Sequence, residues 1–227
     1  MTKKLLPLAG GMVLIFSLIA NFLLYQKNQT LENQYYVEKV IDGDTFTLKN
    51  KQTIRLANVE APELEFCGGQ QAKEKLAQLI EGKKISYEIV SRDTFRRPLA
   101  LVYQNDILVN EILLKEGLAR YDGSPSPKRD RLKKAYDFAF ENKIGIHSPT
   151  CRAEKPDNPR CLIKGNIDKH SNTKTYYFPG CANYQITIVE KDLGESWFCT
   201  EEEAQKAGFS KSQNCYGKHF APFTPGR

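Results

Sequence analysis

An α+β fold is predicted for the central part of this 227-residue chain, and three observations favour it. Apolar and polar side chains alternate around Phe46 and again around Ile54, as in half-buried strands. Between Gly68 and Glu81, apolar side chains recur three or four positions apart, which is typical of an amphipathic helix. After Cys151 the chain becomes rich in proline, aromatic residues and cysteine, which marks a separate unit.

The chain opens with an apolar segment. Lys3 and Lys4 precede an uncharged run from Leu5 to Tyr25. This run is close to the roughly 20 residues of a membrane-spanning helix and longer than the roughly 7–15 apolar residues of a signal peptide. We expect residues 1–34 to form one transmembrane anchor and a polar linker, and the leading lysines favour a body on the periplasmic or extracellular side. A cleaved signal peptide is the alternative.

The two-residue alternation predicts the strands of the central domain, and the spacing of three to four residues predicts its first helix. Turn-forming residues separate the alternating stretches, and a glycine ends the helical one. In chain order the elements are three short strands between Tyr35 and Ala57, a helix from Gly68 to Glu81 ended by Gly82, a strand at residues 85–89, and a hairpin at residues 99–109 that turns at Asn105 and Asp106.

Two further helices are predicted after the hairpin. The first is short, has Ile112 and Leu113 on its inner side and ends at Gly117. The next is expected to begin at Ser126 and Pro127, an N-cap residue followed by a first-turn proline. Its apolar face comprises Leu132, Ala135, Tyr136 and Ala139.

Four carboxylates and one arginine lie close together within this strand-like sequence: Asp42, Asp44, Arg55, Glu60 and Glu63. Pairing of the two strands that contain Phe46 and Ile54 would bring the Asp44 end of one near the Glu60 end of the other. Clustered carboxylates repel each other unless a cation lies between them. An oxygen-binding divalent cation together with an arginine and a spare carboxylate is suited to hydrolysis of a phosphodiester.

These residues also carry a family resemblance. Asp42-Gly43-Asp44-Thr45, Ile54-Arg55-Leu56 and Glu60-Ala61-Pro62-Glu63 resemble the staphylococcal-nuclease (thermonuclease) family, and the likeness continues through residues 93–100 and 109–119. It covers about residues 35–148. The resemblance implies a five-stranded oligonucleotide-binding-type barrel with three helices for residues 35–150.

The resemblance also implies a metal site. In this sequence the carboxylates of Asp44 and Glu60 and the main-chain carbonyl of Ala61 match the protein ligands of one calcium ion. The family usually has aspartate where this chain has Glu60 and often threonine where it has Ala61. Because calcium coordination tolerates such changes better than magnesium coordination, calcium is expected and magnesium is the less favoured alternative.

The catalytic residues implied by the resemblance are Arg55, Glu63 and Arg97. Glu63 resembles the general base that activates water, and the two arginines resemble the pair that binds the scissile phosphate. Arg96 is the rival of Arg97. We choose Arg97 because it directly precedes Pro98-Leu99-Ala100, where the family has Gly-Leu-Ala.

The expected function is that of a calcium-dependent, sequence-nonspecific endonuclease acting on DNA and RNA outside the cytoplasm. A net charge of +6 is compatible with nucleic-acid substrates. One alternative is a barrel that only binds nucleic acid, although such a binder needs no carboxylate beside the phosphate. Another is a surface interaction protein that acts through its C-terminal part, and no protein partner is inferred.

The C-terminal part, residues 151–227, is predicted to be a linker followed by a small cysteine-rich module. The linker is proline-rich and polar, and the module resembles one appended to bacterial nucleases of this family. So short a unit buries little apolar surface, and its cysteines lack Cys-x-x-Cys spacing, which favours disulfides over zinc. If its four cysteines pair among themselves, Cys67 and Cys151 are left to join each other.

Overall fold

The computed structural model describes residues 14–26, 35–169 and 171–220. Residues 14–26 form helix α1. Within these described ranges no helix combines the length and the apolar character that crossing a membrane requires. The predicted anchor also takes in residues 1–13 and 27–34, which lie outside the described residues.

The central domain is built on a mixed sheet. Its strand order is β1-β2-β3-β5-β4, with β6 beside β5, and the pairing of β3 with β5 is parallel. Main-chain hydrogen bonds from Val37 N to the Lys83 carbonyl and from Ile85 N to the Tyr35 carbonyl join the two ends of the sheet into a barrel. The strands are β1 (Val37–Val40), β2 (Thr45–Leu48), β3 (Thr53–Leu56), β4 (Ser86–Arg92), β5 (Pro98–Gln104) and β6 (Ile107–Leu108).

The predicted strands are therefore present. A five-stranded barrel was expected, and the structure adds the two-residue strand β6 where the predicted hairpin returns. Asn105 has φ 54° at the predicted turn, a backbone conformation that asparagine tolerates better than most residues.

Three helices pack on this sheet, as expected: α2 (Gly69–Ile80), α3 (Val109–Lys115) and α4 (Arg129–Glu141). The predicted inner face of α3 is confirmed for Leu113, which is fully buried, but the second fully buried residue is Leu114, and Ile112 is only half-buried. The predicted start of α4 is also wrong. Ser126 precedes a turn at residues 127–128, in which its carbonyl accepts the Arg129 N–H over 3.2 Å, and its hydroxyl caps no helical N–H.

Asn110 fixes the barrel around the end of β3. Its side chain is fully buried and donates to the carbonyls of Ala57 (2.8 Å) and Ala100 (3.1 Å), while it accepts the Val102 N–H (2.9 Å). Each of these bonds contributes on the order of 1 kcal/mol, and loss of the side chain would leave buried main-chain groups without partners. The residue ties α3 to two strands and so stabilises the strand end that leads to the acidic loop.

The C-terminal module has its own core, which includes Ile163, Tyr176, Phe178 and Phe209. Thr200 caps helix α5, and its hydroxyl accepts the Glu203 N–H over 3.1 Å. One sheet has the order β11-β8-β9-β12, and a separate pair joins β7 to β10. The elements are β7 (Arg152–Ala153), β8 (Ile163–Ile167), β9 (Lys174–Tyr177), β10 (Val189–Glu190), β11 (Trp197–Phe198), α5 (Glu201–Lys206) and β12 (Ser210–Lys211).

All six cysteines are paired as disulfides. Cys161 pairs with Cys199 and Cys181 with Cys215, so the module's cysteines pair among themselves. The third bond joins Cys67 to Cys151, as predicted, and links the start of α2 to the beginning of the C-terminal part.

Candidate functional site

The β2–β3 hairpin brings the first carboxylate and the first arginine together. Asp44 directly precedes β2, and Thr45 lies opposite Arg55 in the antiparallel register. Arg55 Nη1 donates to Asp44 Oδ1 over 2.8 Å, and the Thr45 hydroxyl donates to the same oxygen over 2.8 Å. Asp44 is only 2% exposed, whereas the Arg55 side chain is 26% exposed. The pair therefore has a buried acid and a guanidinium that reaches the surface.

The acidic loop, residues 60–63, closes on the same carboxylate. The Ala61 N–H donates to Asp44 Oδ2 over 2.9 Å, which confirms that strand pairing brings this loop to Asp44. Gly43 permits the approach, because a Cβ there would lie 2.5 Å from Ala61 Cβ and 2.6 Å from Ala72 Cβ. The Asp42 side chain accepts the Asp44 N–H over 3.0 Å and so stabilises the turn before β2.

The environment of Asp44 opposes its negative charge. Burial raises the pKa of Asp44 to about 7, and the neighbouring Asp42 adds to the rise, while Arg55 and the Ala61 N–H act against it. A further positive charge at this carboxylate would therefore favour its ionised form. This is the condition under which a buried carboxylate gains from binding a cation.

Glu60 and Glu63 lie on one cleft beside this cluster. Both are exposed, and with Ala61 they line a cavity of about 250 Å³ whose other wall includes Asp192 and Leu193. Larger cavities of about 610 Å³ lie elsewhere, one of them beside Phe140 and His147. The smaller cleft is the candidate site because it borders the acidic loop.

The donor set of this cleft suits a hard cation. Glu60 and Ala61 line the cleft, and Asp44, the third predicted ligand, accepts the Ala61 N–H behind it. The three predicted donor groups are all oxygens, as calcium and magnesium prefer. Within the described part of the chain, no cluster of three or more His, Cys, Asp or Glu side chains could hold a metal by itself. A metal at this cleft would therefore also need main-chain or water ligands.

Arg97 is placed differently from the other predicted residues. It immediately precedes β5 and lies two positions before Leu99. Leu99 of β5 pairs with Arg55 of β3 in the parallel register. Arg97 Nε donates to Asp93 Oδ2 over 2.7 Å, and its guanidinium lies 5.4 Å from the Phe95 ring. The structure thus aligns Arg97 with the strand that carries Arg55 but joins it to Asp93 rather than to Asp44.

Arg120 is a residue of this site that the sequence did not reveal. Its N–H donates to the Glu60 carbonyl over 2.8 Å, and the Glu60 N–H donates back over 2.9 Å. Its guanidinium donates to Asp192 over 2.6 and 3.0 Å, and Glu190 lies 3.3 Å away. Burial alone would lower the pKa of Arg120, but these two carboxylates outweigh it and raise the pKa. No local pattern signals this role, because Asp192 is 72 residues distant in the chain.

Comparison with known proteins finds a family model that matches the central domain. Residues 53–149 match the family model described as staphylococcal nuclease homologue. That segment contains Arg55, the acidic loop and Arg97, whereas Asp44 lies just before it.

Curated relatives match the same region. An uncharacterized endonuclease of Haemophilus influenzae is 32% identical over 111 residues, 47% of this chain and 62% of that protein. Micrococcal nuclease of Shigella flexneri is 34% identical over 105 residues, 40% of this chain and 60% of that protein. Staphylococcal-like nuclease CAN1 of Arabidopsis thaliana is 31% identical over 113 residues, 48% of this chain and 33% of that protein. The chain thus spans less than two thirds of each of these relatives.

Proposed function

We propose that this chain is a metal-dependent endonuclease that hydrolyses phosphodiester bonds of DNA and RNA, and the match of residues 53–149 to the staphylococcal nuclease homologue model supports this. The observation that carries the proposal is the contact of the buried Asp44 carboxylate with both Arg55 and Ala61. This contact joins a cationic side chain and a buried acid to the acidic loop, and such a combination of charges suits phosphodiester hydrolysis.

The proposed roles follow from exposure and charge. Glu63 is the general base, because its exposed carboxylate borders the cleft and can reach a water molecule there. Arg55 and Arg97 bind the scissile phosphate and stabilise the charge that grows on its oxygens. Each guanidinium is oriented by an aspartate, Asp44 for Arg55 and Asp93 for Arg97.

Calcium is the proposed metal, held by Asp44, Glu60 and the Ala61 carbonyl. When bound, it would supply positive charge to the phosphate oxygens. The exposed Glu60 side chain has several rotatable bonds, and a site with such a ligand suits the adaptable coordination of calcium better than the strict octahedron of magnesium.

The proposed location of the catalytic body is outside the cytoplasm. All six cysteines are paired, and disulfides persist mainly in oxidising compartments. Residues 1–34 are the proposed membrane anchor. Protease added to intact cells should then remove the body, whereas protection until lysis would overturn this location.

Degradation of plasmid DNA by the full chain tests the activity. We expect cleavage with calcium, weaker cleavage with magnesium and none with chelator, and cleavage of single-stranded RNA under the same conditions. Cleavage that persists in chelator would overturn the metal dependence. Binding of DNA without cleavage under every condition would replace the nuclease with a nucleic-acid-binding barrel.

A further inference from the structure

The C-terminal module is attached to the acidic-loop side of the barrel. The Cys67–Cys151 disulfide links them, and the Lys191 main chain pairs with both cysteines: its N–H donates to the Cys151 carbonyl over 2.8 Å, and its carbonyl accepts the Cys67 N–H over 3.4 Å. Gly194 lies against Phe66, since a Cβ there would come within 2.5 Å of the ring. The turn at residues 191–193 therefore packs directly beside the segment that follows the acidic loop.

One ion pair extends this attachment to the loop itself. The Asp192 side chain is 1% exposed and accepts two hydrogen bonds from the guanidinium of Arg120. The Arg120 main chain is in turn bonded in both directions to Glu60. A single residue thus connects the module to a proposed metal ligand.

The charges indicate that Arg120 serves this connection rather than the phosphate of a substrate. Its side chain is 13% exposed, and two carboxylates, Asp192 and Glu190, already balance its charge. Breaking a buried, bidentate pair of this kind leaves an uncompensated charge, which is strongly unfavourable. Arg55, by contrast, has a more exposed guanidinium beside one carboxylate.

We propose that the C-terminal module is a structural part of the active site: Asp192 positions Glu60 through Arg120, and Leu193 and Asn172 form the wall that substrate meets opposite Glu63. Asn172, Asp192 and Leu193 all line the same cleft as the acidic loop. This inference rests on the proposed nuclease function. The physical basis is that an exposed loop holds its ligands in place only when a supporting shell fixes its main chain.

The test is Asp192→Asn in the full chain, purified in a mild detergent. The amide keeps the shape of the side chain but lacks the charge and one of the two acceptors. Calcium binding, measured by titration calorimetry without substrate, should weaken by about 10- to 100-fold, as is usual when support of a metal ligand is lost. Amide hydrogen exchange at Glu60 and Arg120 should become faster, because these two amides bond to each other's carbonyls.

Arg152→Gln is the matched control. Arg152 also approaches Glu190, at 3.5 Å, but its main chain pairs with β10 and not with the acidic loop. The Arg152→Gln variant should therefore keep the parental calcium affinity and the parental rate of amide hydrogen exchange at Glu60. If Asp192→Asn does not fold, Arg120→Lys removes the same bidentate pair while it keeps the positive charge, and the same two losses are expected.

Two outcomes separate this inference from the nuclease proposal. If the parent protein cleaves DNA with calcium but folded Asp192→Asn keeps the parental calcium affinity and exchange rates, the module does not position the loop and the inference is wrong. If the parent cleaves nothing, the nuclease proposal fails. The calcium and exchange measurements then still report on the connection from Asp192 to Glu60, because neither depends on catalysis.

Discussion

Arg55 Nη1 lies 2.8 Å from Asp44 Oδ1, so the guanidinium proposed for phosphate binding and the acid proposed for calcium binding are directly joined. Asp44→Asn removes the negative charge that pairs with Arg55 and that is proposed to bind calcium. We expect calcium affinity to fall by at least about 10-fold, with cleavage partly recovered at high calcium, because a carboxamide is a weaker ligand. Calcium titration of the cleavage rate measures this, and an unchanged calcium dependence would exclude Asp44 as a ligand.

The Glu63→Gln variant distinguishes a nuclease from a protein that only binds nucleic acid. The amide keeps the size and hydrogen-bonding capacity of the side chain but cannot accept a proton from water. The cleavage rate should fall by about two orders of magnitude or more, while DNA binding changes little. Glu65→Gln is the control, since Glu65 is an exposed neighbour outside the lining of the cleft.

The same assay tests Arg97. Arg97→Lys keeps the charge but loses the planar fork, so we expect it to lower turnover strongly. If Glu63→Gln and Arg97→Lys both degrade DNA at the parent rate, the chemistry has been assigned to the wrong residues.

Gly43→Ala should disturb the acidic loop without touching a functional group. The added methyl would meet Ala61 Cβ and Ala72 Cβ at 2.5 and 2.6 Å, well inside van der Waals contact. We expect a loss of about 1–3 kcal/mol in the free energy of unfolding, together with weaker calcium binding. Addition of Ala61→Gly removes one of the two clashes and should restore part of each loss. Urea denaturation and calorimetry measure both, and a parental unfolding midpoint would contradict the packing described here.

Loss of the Cys67–Cys151 bond should destabilise the folded chain. The bond joins residues separated by 84 positions, and a loop of this size corresponds to about 4 kcal/mol in the chain-entropy model. The double variant Cys67→Ser with Cys151→Ser should therefore unfold at a lower urea concentration. Non-reducing peptide mapping of the parent is the control, and a Cys67 joined to a cysteine of the module would contradict the pairing.

We expect the free energy of unfolding to fall in mild acid, because the folded protein resists protonation of His147. Burial lowers its pKa from 6.5 to about 4, and the positive charges of Arg120, Arg152 and Lys169 act in the same direction, with Glu190 opposing. Because the folded pKa is depressed, its contribution is complete above about pH 6.5 and is lost as the pH falls towards 4. The loss amounts to up to about 3 kcal/mol.

His147→Phe provides the comparison. It keeps an aromatic ring beside Tyr136 and Phe140 but cannot take up a proton. The urea midpoint of this variant should vary less between pH 7 and pH 4.5 than that of the parent. Equal slopes for the two proteins would show that His147 does not titrate as described.

Local sequence was sufficient for much of the barrel and for the centre of the site. Alternation around Phe46 and Ile54 sets which residues face the core, and in an antiparallel hairpin this register also places Asp44 beside Arg55. The same register carries the chain back to the acidic loop, so the Asp44–Ala61 contact was predictable. The cysteine pairing was predictable on the condition that the module's cysteines pair together.

The tertiary structure alone decided where long-range partners meet. The segment before α4 is held by Asn58, whose side-chain amide donates to Asp122 Oδ1 and to the Ser124 carbonyl across 64 and 66 positions of sequence. The support of Glu60 depends on Arg120 and Asp192, which come together only when the module is folded and attached. Periodicity reports the environment of a residue and its near neighbours, whereas an ion pair between distant segments depends on how two folded units pack, and no local pattern records that.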